Sequence, residues 1–166
     1  MKLLFLDIDG VLNNEKSQTC APSGCTGIDD KLTKRLARII EETDALIILT
    51  SDWKIGWESF DVDCSEDAKY LNRKLKRFGL KISAKTYDYY VYDLFFEDRG
   101  KGIHKYLEKV NNVESYVVID DHTFTDFDIE IMEHLVLTDC KEGLTDSDVE
   151  KSICLLNKNN MDSKNK

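Results

Sequence analysis

Apolar residues recur along this chain in two rhythms. Short unbroken runs, Leu3-Leu4-Phe5-Leu6, Leu46-Ile47-Ile48-Leu49 and Tyr116-Val117-Val118-Ile119, have the length of strands covered on both faces. Elsewhere the apolar positions spread to a helical spacing. Leu32, Leu36, Ile39 and Ile40 predict an amphipathic helix over about 29–42, and Ala68, Leu71, Leu75 and Phe78 predict a second over 65–78, with Gly79 as its stop. A third helix is expected over 103–110 and a short strand at Leu135–Leu137. A last helix opens with the capping pattern of Thr145 and Asp148 and closes near Leu156. Strand, helix, strand at this spacing reads as a right-handed parallel crossover. The pattern predicts an α/β fold, a three-layer sandwich around a parallel sheet, over residues 1–156, with 157–166 as a polar, disordered tail.

Each long apolar run stops at residues suited to phosphate or metal. Asp7, Ile8, Asp9 and Gly10 follow the first, Thr50 and Ser51 the second, Asp120 and Asp121 the third. Carboxylates two apart on an extended chain share a face, and a glycine turn behind them lets backbone amides and a cation converge on one point. A metal-assisted phosphoryl site requires such convergence. Each feature alone has an ordinary explanation, a solvated turn for Asp-x-Asp-Gly and a helix cap for Thr50. In an open parallel sheet, however, such strand ends gather along one edge, where ligands bind.

Three strings, Asp7-Ile8-Asp9-Gly10-Val11-Leu12-Asn13, Leu49-Thr50-Ser51 and Ile119-Asp120-Asp121, resemble the motifs of the haloacid dehalogenase-like (HAD) phosphohydrolase superfamily. The longer strings Leu49-Thr50-Ser51-Asp52-Trp53-Lys54, Arg99-Gly100-Lys101-Gly102-Ile103 and Gly143-Leu144-Thr145 are similar to those of the small HAD domains associated with RNA-repair proteins. The resemblance implies a Rossmann-like fold and a magnesium-dependent phosphatase. It makes Asp7 the nucleophile that forms an aspartyl-phosphate and Asp9 the residue that protonates the leaving oxygen and later activates water. It places magnesium on Asp7, the backbone carbonyl of Asp9, and an acid from Asp120 and Asp121. Asp121 is the preferred direct ligand, because adjacent residues of an extended strand point to opposite sides. Thr50 and Ser51, with the turn at Gly10, are expected to bind the phosphate, and either Arg99 or Lys101 to neutralise it. His122, directly after the acidic pair, is a lone loop histidine that either touches substrate or is incidental.

The segments joining these motifs are too short for a large inserted cap domain, which within the superfamily implies an open site. Open sites suit bulky phosphoesters better than small metabolites that must be enclosed from water. A phosphate on a nucleotide or at the end of an oligonucleotide is therefore the expected substrate, with a small metabolite as the alternative. Two other classes use similar residues. A phosphorelay receiver puts its acidic pair first and its lone acceptor Asp later, the reverse of the order here. In a calcium-binding EF-hand loop the glycine comes later than Gly10 does after Asp7, and a helix, not a strand, precedes it. A catalytically silent module on the same fold is a third possibility, against which both leading Asp residues count.

Composition narrows this further. With 166 residues and 42% hydrophobic content the chain can bury one sizeable core. A formal charge of -9 argues against an extended basic track for a polyanion and leaves only a local stripe, Arg73, Lys74, Lys76 and Arg77, as a strand guide. Five cysteines, with Cys20 and Cys25 as the one near pair, read as free thiols of a cytoplasmic chain. No apolar run approaches the ~20 residues of a membrane helix, and Met1 leads straight into a strand rather than a signal segment, so no membrane partner is expected. Tyr87, Tyr89, Tyr90, Tyr92, Phe95 and Phe96 crowd one acidic segment that reads either as local packing or as a stacking platform.

Overall fold

The computed structural model describes residues 1–87 and 99–162, the side chains of 159–162 excepted. Five parallel strands form one sheet: β1 (Lys2–Leu6), β2 (Leu46–Leu49), β3 (Ile82–Lys85), β4 (Ser115–Asp120) and β5 (Leu135–Leu137), in the spatial order β3-β2-β1-β4-β5. The apolar runs are unbroken because helices cover both faces. Leu4, Leu6, Ile47, Leu49, Val117 and Ile119 pack on one side with α1 (Asp30–Thr43), α2 (Glu66–Lys76) and α5 (Asp146–Asp162). Leu3, Phe5, Ile48, Tyr116 and Val118 pack on the other with Ile103 of α3 (Arg99–Lys109) and Ile131 of α4 (Ile129–Glu133). Alternate residues of β1, β2 and β4 thus feed opposite layers, which is the expected three-layer α/β sandwich. Among the described residues the sheet carries no inserted cap domain.

Register sets the geometry of the ligand edge. Leu6 pairs with Leu49 on one side and Ile119 on the other. The Asp7 amide donates to the Ile119 carbonyl and the Thr50 amide to the Leu6 carbonyl, both at 2.9 Å. Asp7, Thr50 and Asp120 therefore leave three neighbouring strands at one level. The caps are local and polar: Asp29 accepts from the amides of Lys31 and Leu32 at the start of α1, and Thr145 and Asp148 cap each other's amides ahead of α5.

Several expectations change. The Ile82–Lys85 strand is too short, and alternates too weakly, to stand out from the polar sequence around it. The five-residue α4 is likewise invisible to a helical period. The third helix begins at Arg99 rather than Ile103, and Gly100 serves within it as clearance: a Cβ there would lie 2.3 Å from the Asp126 carbonyl oxygen. The last helix continues past Leu156 to Asp162. The supposed basic stripe is partly spent on the fold, since Lys74 and Arg77 both pair with Asp30. Of the aromatic segment, Tyr87 lies beneath the ammonium groups of Lys105 and Lys109, at 4.8 and 4.0 Å from its ring centroid, while Tyr89, Tyr90, Tyr92, Phe95 and Phe96 lie outside the described residues. All five cysteines are free. Among the described residues no helix is long and apolar enough to cross a membrane.

Candidate active site

β1 ends at Leu6, so Asp7 and Asp9 stand beyond the strand and do not share its face. They divide instead. Asp7 is buried at 4% exposure, whereas Asp9 is exposed. The turn that follows them is held by a positive φ of 68° at Gly10, whose carbonyl accepts from the Thr138 hydroxyl at 2.8 Å and whose amide donates to Asn13 Oδ1 at 3.0 Å. A Cβ on Gly10 would stand 2.2 Å from Asp121 Oδ2, so only glycine lets Asp121 lie against this turn.

One oxygen from each of Asp7, Asp120 and Asp121 falls within 4.8 Å of the others. The alternation argument that set Asp120 against Asp121 fails here because β4 stops at Asp120 and the chain turns before Asp121. Both acids reach the same point. Their surroundings still differ: Asp120 Oδ2 accepts from Arg99 Nη1 at 2.7 Å and Asp120 Oδ1 from the His122 amide at 3.0 Å, while Asp121 Oδ1 faces His122 Nδ1 at 3.0 Å. The side chain of Asp9 is outside this group. Its Oδ1 accepts from Asn13 Nδ2 at 2.7 Å and its Oδ2 from Trp53 Nε1 at 3.0 Å, so any role for Asp9 in holding a metal falls to its backbone carbonyl.

Of the two basic candidates, Arg99 stands beside Asp7. Its Nη1 donates to Asp7 Oδ1 at 2.5 Å as well as to Asp120, and its guanidinium lies 4.5 Å from the Phe124 ring centroid. Lys101 is exposed, with its amide donating to Asp126. Burial, reinforced by the neighbouring Asp120 and opposed by Arg99, pushes the Asp7 carboxyl up to about 7. Burial also raises Asp120 against the pull of Arg99. Burial opposes the charge on Arg99, but Asp7 and Asp120 outweigh it and keep the guanidinium protonated. His122 is raised by its bond to Asp121, and its side chain remains 72% exposed at the mouth of the site. Three carboxylates around one arginine leave an excess of negative charge, which a hard divalent cation with oxygen preference fits.

On the other side of Asp7 the Thr50 hydroxyl is buried without a hydrogen-bond partner among the described residues. It caps no helix; Ser51 does that, accepting from the Trp53 amide at 3.3 Å at the start of the short turn Asp52–Lys54. A buried orphan hydroxyl on a ligand edge calls for an acceptor that arrives from outside. Asn13 and Trp53, which stand in the quoted motif strings without a role, are the additions the structure makes. Their polar groups meet Asp9 only through folding, and the sole sequence signal was their place in those strings.

No curated protein and no solved structure matches the chain. One family model does, described as the HAD domain in Swiss Army Knife RNA repair proteins, and it spans residues 3–149. That span holds the whole sheet but for Lys2, and all the residues gathered around Asp7. The chain belongs to this family of HAD domains.

Proposed function

We propose that this chain hydrolyses phosphate monoesters through an aspartyl-phosphate on Asp7, and that the phosphate it removes sits at the end of a nucleic acid or on a nucleotide. One observation carries the reading. The buried hydroxyl of Thr50, unpartnered among the described residues, stands at the strand end adjoining that of Asp7, whose carboxylate Arg99 already neutralises in part. A phosphoryl oxygen supplies the acceptor that this hydroxyl lacks, and its phosphorus is then presented to the Asp7 carboxylate.

The Asp7 carboxylate attacks phosphorus, the bond to the leaving oxygen breaks, and Asp9 delivers a proton to that oxygen. Asp9, now ionised, then takes a proton from water as its oxygen attacks phosphorus, and Asp7 leaves as a carboxylate with release of inorganic phosphate. Arg99 offsets charge on the nucleophile and the transferring group, while Thr50 and Ser51 hold phosphoryl oxygens. Asp7, the Asp9 carbonyl and Asp121 would hold a magnesium ion, which when bound neutralises both nucleophile and phosphate.

The substrate class rests on the family's association with RNA repair and on the lack of an inserted domain among the described residues. The charge of -9 favours a local grip on one terminal phosphate over a long contact with the strand. Free thiols fit a cytoplasmic setting. Purified protein with magnesium is expected to turn over p-nitrophenyl phosphate and end-phosphorylated oligonucleotides, and Asp7→Asn to abolish both. Rapid hydrolysis of sugar phosphates with none of oligonucleotides would make it a small-metabolite phosphatase. No turnover of any phosphoester would leave a non-catalytic binding module.

A further inference from the structure

Asp9 is exposed, and the terminal torsion of an aspartate is broad, so an isolated carboxylate here would turn freely about its own axis. Two donors stop it. Asn13 Nδ2 takes Oδ1 at 2.7 Å, and Asn13 is itself fixed by accepting from the Gly10 amide and donating to the Thr26 carbonyl. That grip is local, within the turn that carries Asp9. The second grip is not: Trp53 Nε1 takes Oδ2 at 3.0 Å from a position 44 residues away. Trp53 belongs to the turn that leaves β2 directly after Thr50 and Ser51, with its amide on Ser51 Oγ. Its indole packs beside Tyr70, ring centroids 6.4 Å apart, and the Tyr70 hydroxyl accepts from the Ile28 amide.

We propose that Trp53 is a positioning residue, which aligns the Asp9 carboxyl with the phosphate held at Thr50 so that its proton meets the leaving oxygen; this rests on the phosphatase reading above. The indole N–H suits the task because it can only donate. It fixes one lone pair of Oδ2, never competes for the proton, and leaves the second lone pair of each carboxyl oxygen for proton transfer. Because it comes from the exit of β2, it relates the acid directly to the phosphate-binding strand end. Asn13 cannot do so, since it moves with the same turn as Asp9.

The test separates positioning of a proton donor from general support of the fold. Wild type and Trp53→Phe, which keeps an aromatic ring and loses the N–H, are compared on phenyl phosphate and p-nitrophenyl phosphate with magnesium. The substrates differ little in shape but greatly in how much their leaving oxygen needs a proton. The expected result is a fall of roughly tenfold in kcat/KM for phenyl phosphate, the scale of one lost hydrogen bond to a charged group, with p-nitrophenyl phosphate changed by less than about threefold. The ratio of the two is independent of the fraction of protein that folds. Should Trp53→Phe fail to fold at all, benzothienylalanine at position 53 keeps the ring size and lacks the N–H, and the same ratio is expected. An equal fall on both substrates, or no fall on either, overturns the proposal. Wild type that hydrolyses neither substrate overturns the phosphatase reading, and this inference with it.

Discussion

Arg99 meets Asp7 with a single nitrogen, Nη1, 2.5 Å from Asp7 Oδ1. The same nitrogen reaches Asp120, so one N–H pair ties the end of β1 to the end of β4, and the Phe124 ring supports the guanidinium from its face. A lysine cannot copy this. Its ammonium lacks the planar surface that lies over Phe124 and cannot keep one nitrogen between the two acids while the rest of the group stacks on the ring. Arg99→Lys is expected to fold and to lose at least about tenfold in kcat/KM, on the scale of one charge-assisted hydrogen bond, and Arg99→Ala more. Steady-state kinetics on p-nitrophenyl phosphate check the order; full activity in Arg99→Ala would remove the cation from the mechanism.

Metal dependence should follow the carboxylates. Magnesium is expected to activate and calcium to inhibit, because calcium takes a larger and looser oxygen shell. Asp121→Asn should raise the magnesium concentration needed for half activity more than Asp120→Asn, since Asp120 is already engaged by Arg99 and the His122 amide. Magnesium titrations of the two variants decide it, and the reverse ranking would make Asp120 the direct ligand.

Asp7 should leave a signature in stability against pH. Its folded carboxyl lies at about 7, against an ordinary value of 3.8, chiefly through burial. Between those values the folded protein holds a proton that the unfolded chain has lost, so this contribution to stability is full below about pH 4 and disappears as pH rises through about 7. Metal-free wild type should therefore lose stability relative to Asp7→Asn, which does not titrate, as pH climbs through this window. Thermal melts of both proteins across it measure the difference. A constant difference would mean that Asp7 titrates as an ordinary surface acid.

Gly10→Ala combines two costs. The backbone there has a φ of 68°, and the new Cβ would fall 2.2 Å from Asp121 Oδ2. The left-handed conformation alone costs about 1–2 kcal/mol for a residue with a Cβ. Asp121 must also move, so the magnesium requirement is expected to rise together with the loss of stability seen by denaturant unfolding. Loss of stability with unchanged magnesium dependence would show that Asp121 tolerates the displacement.

How much of this was legible depended on the range of the forces involved. β1, β2 and β4 announce themselves because burial on both faces demands unbroken apolar runs, and their polar ends follow from the same register. The strand at Ile82 and the helix at Ile129 are too short to hold a period. Arg99 and Lys101 stood as equals in the sequence because both belong to one short string, and only the fold sets the Arg99 guanidinium against Asp7 while Lys101 is exposed. Asp120 and Asp121 looked mutually exclusive because strand alternation was carried one residue past the end of β4. The bond between Asp9 and Trp53 had no local trace, since only folding brings the indole across.

The central place of β1 also fixes the order in which a ribosome can complete this protein. Asp7 is made before its partner Arg99, which lies 92 residues later, and Asp120 follows later still. Until β4 has emerged, one edge of β1 has no neighbour, and a nascent chain holds an unpaired apolar strand open to wrong pairing. A polypeptide that stops before Asp120 therefore owns Asp7 but neither the complete sheet nor the acids beside it. Interrupted synthesis should yield inert, aggregation-prone fragments rather than weakly active ones.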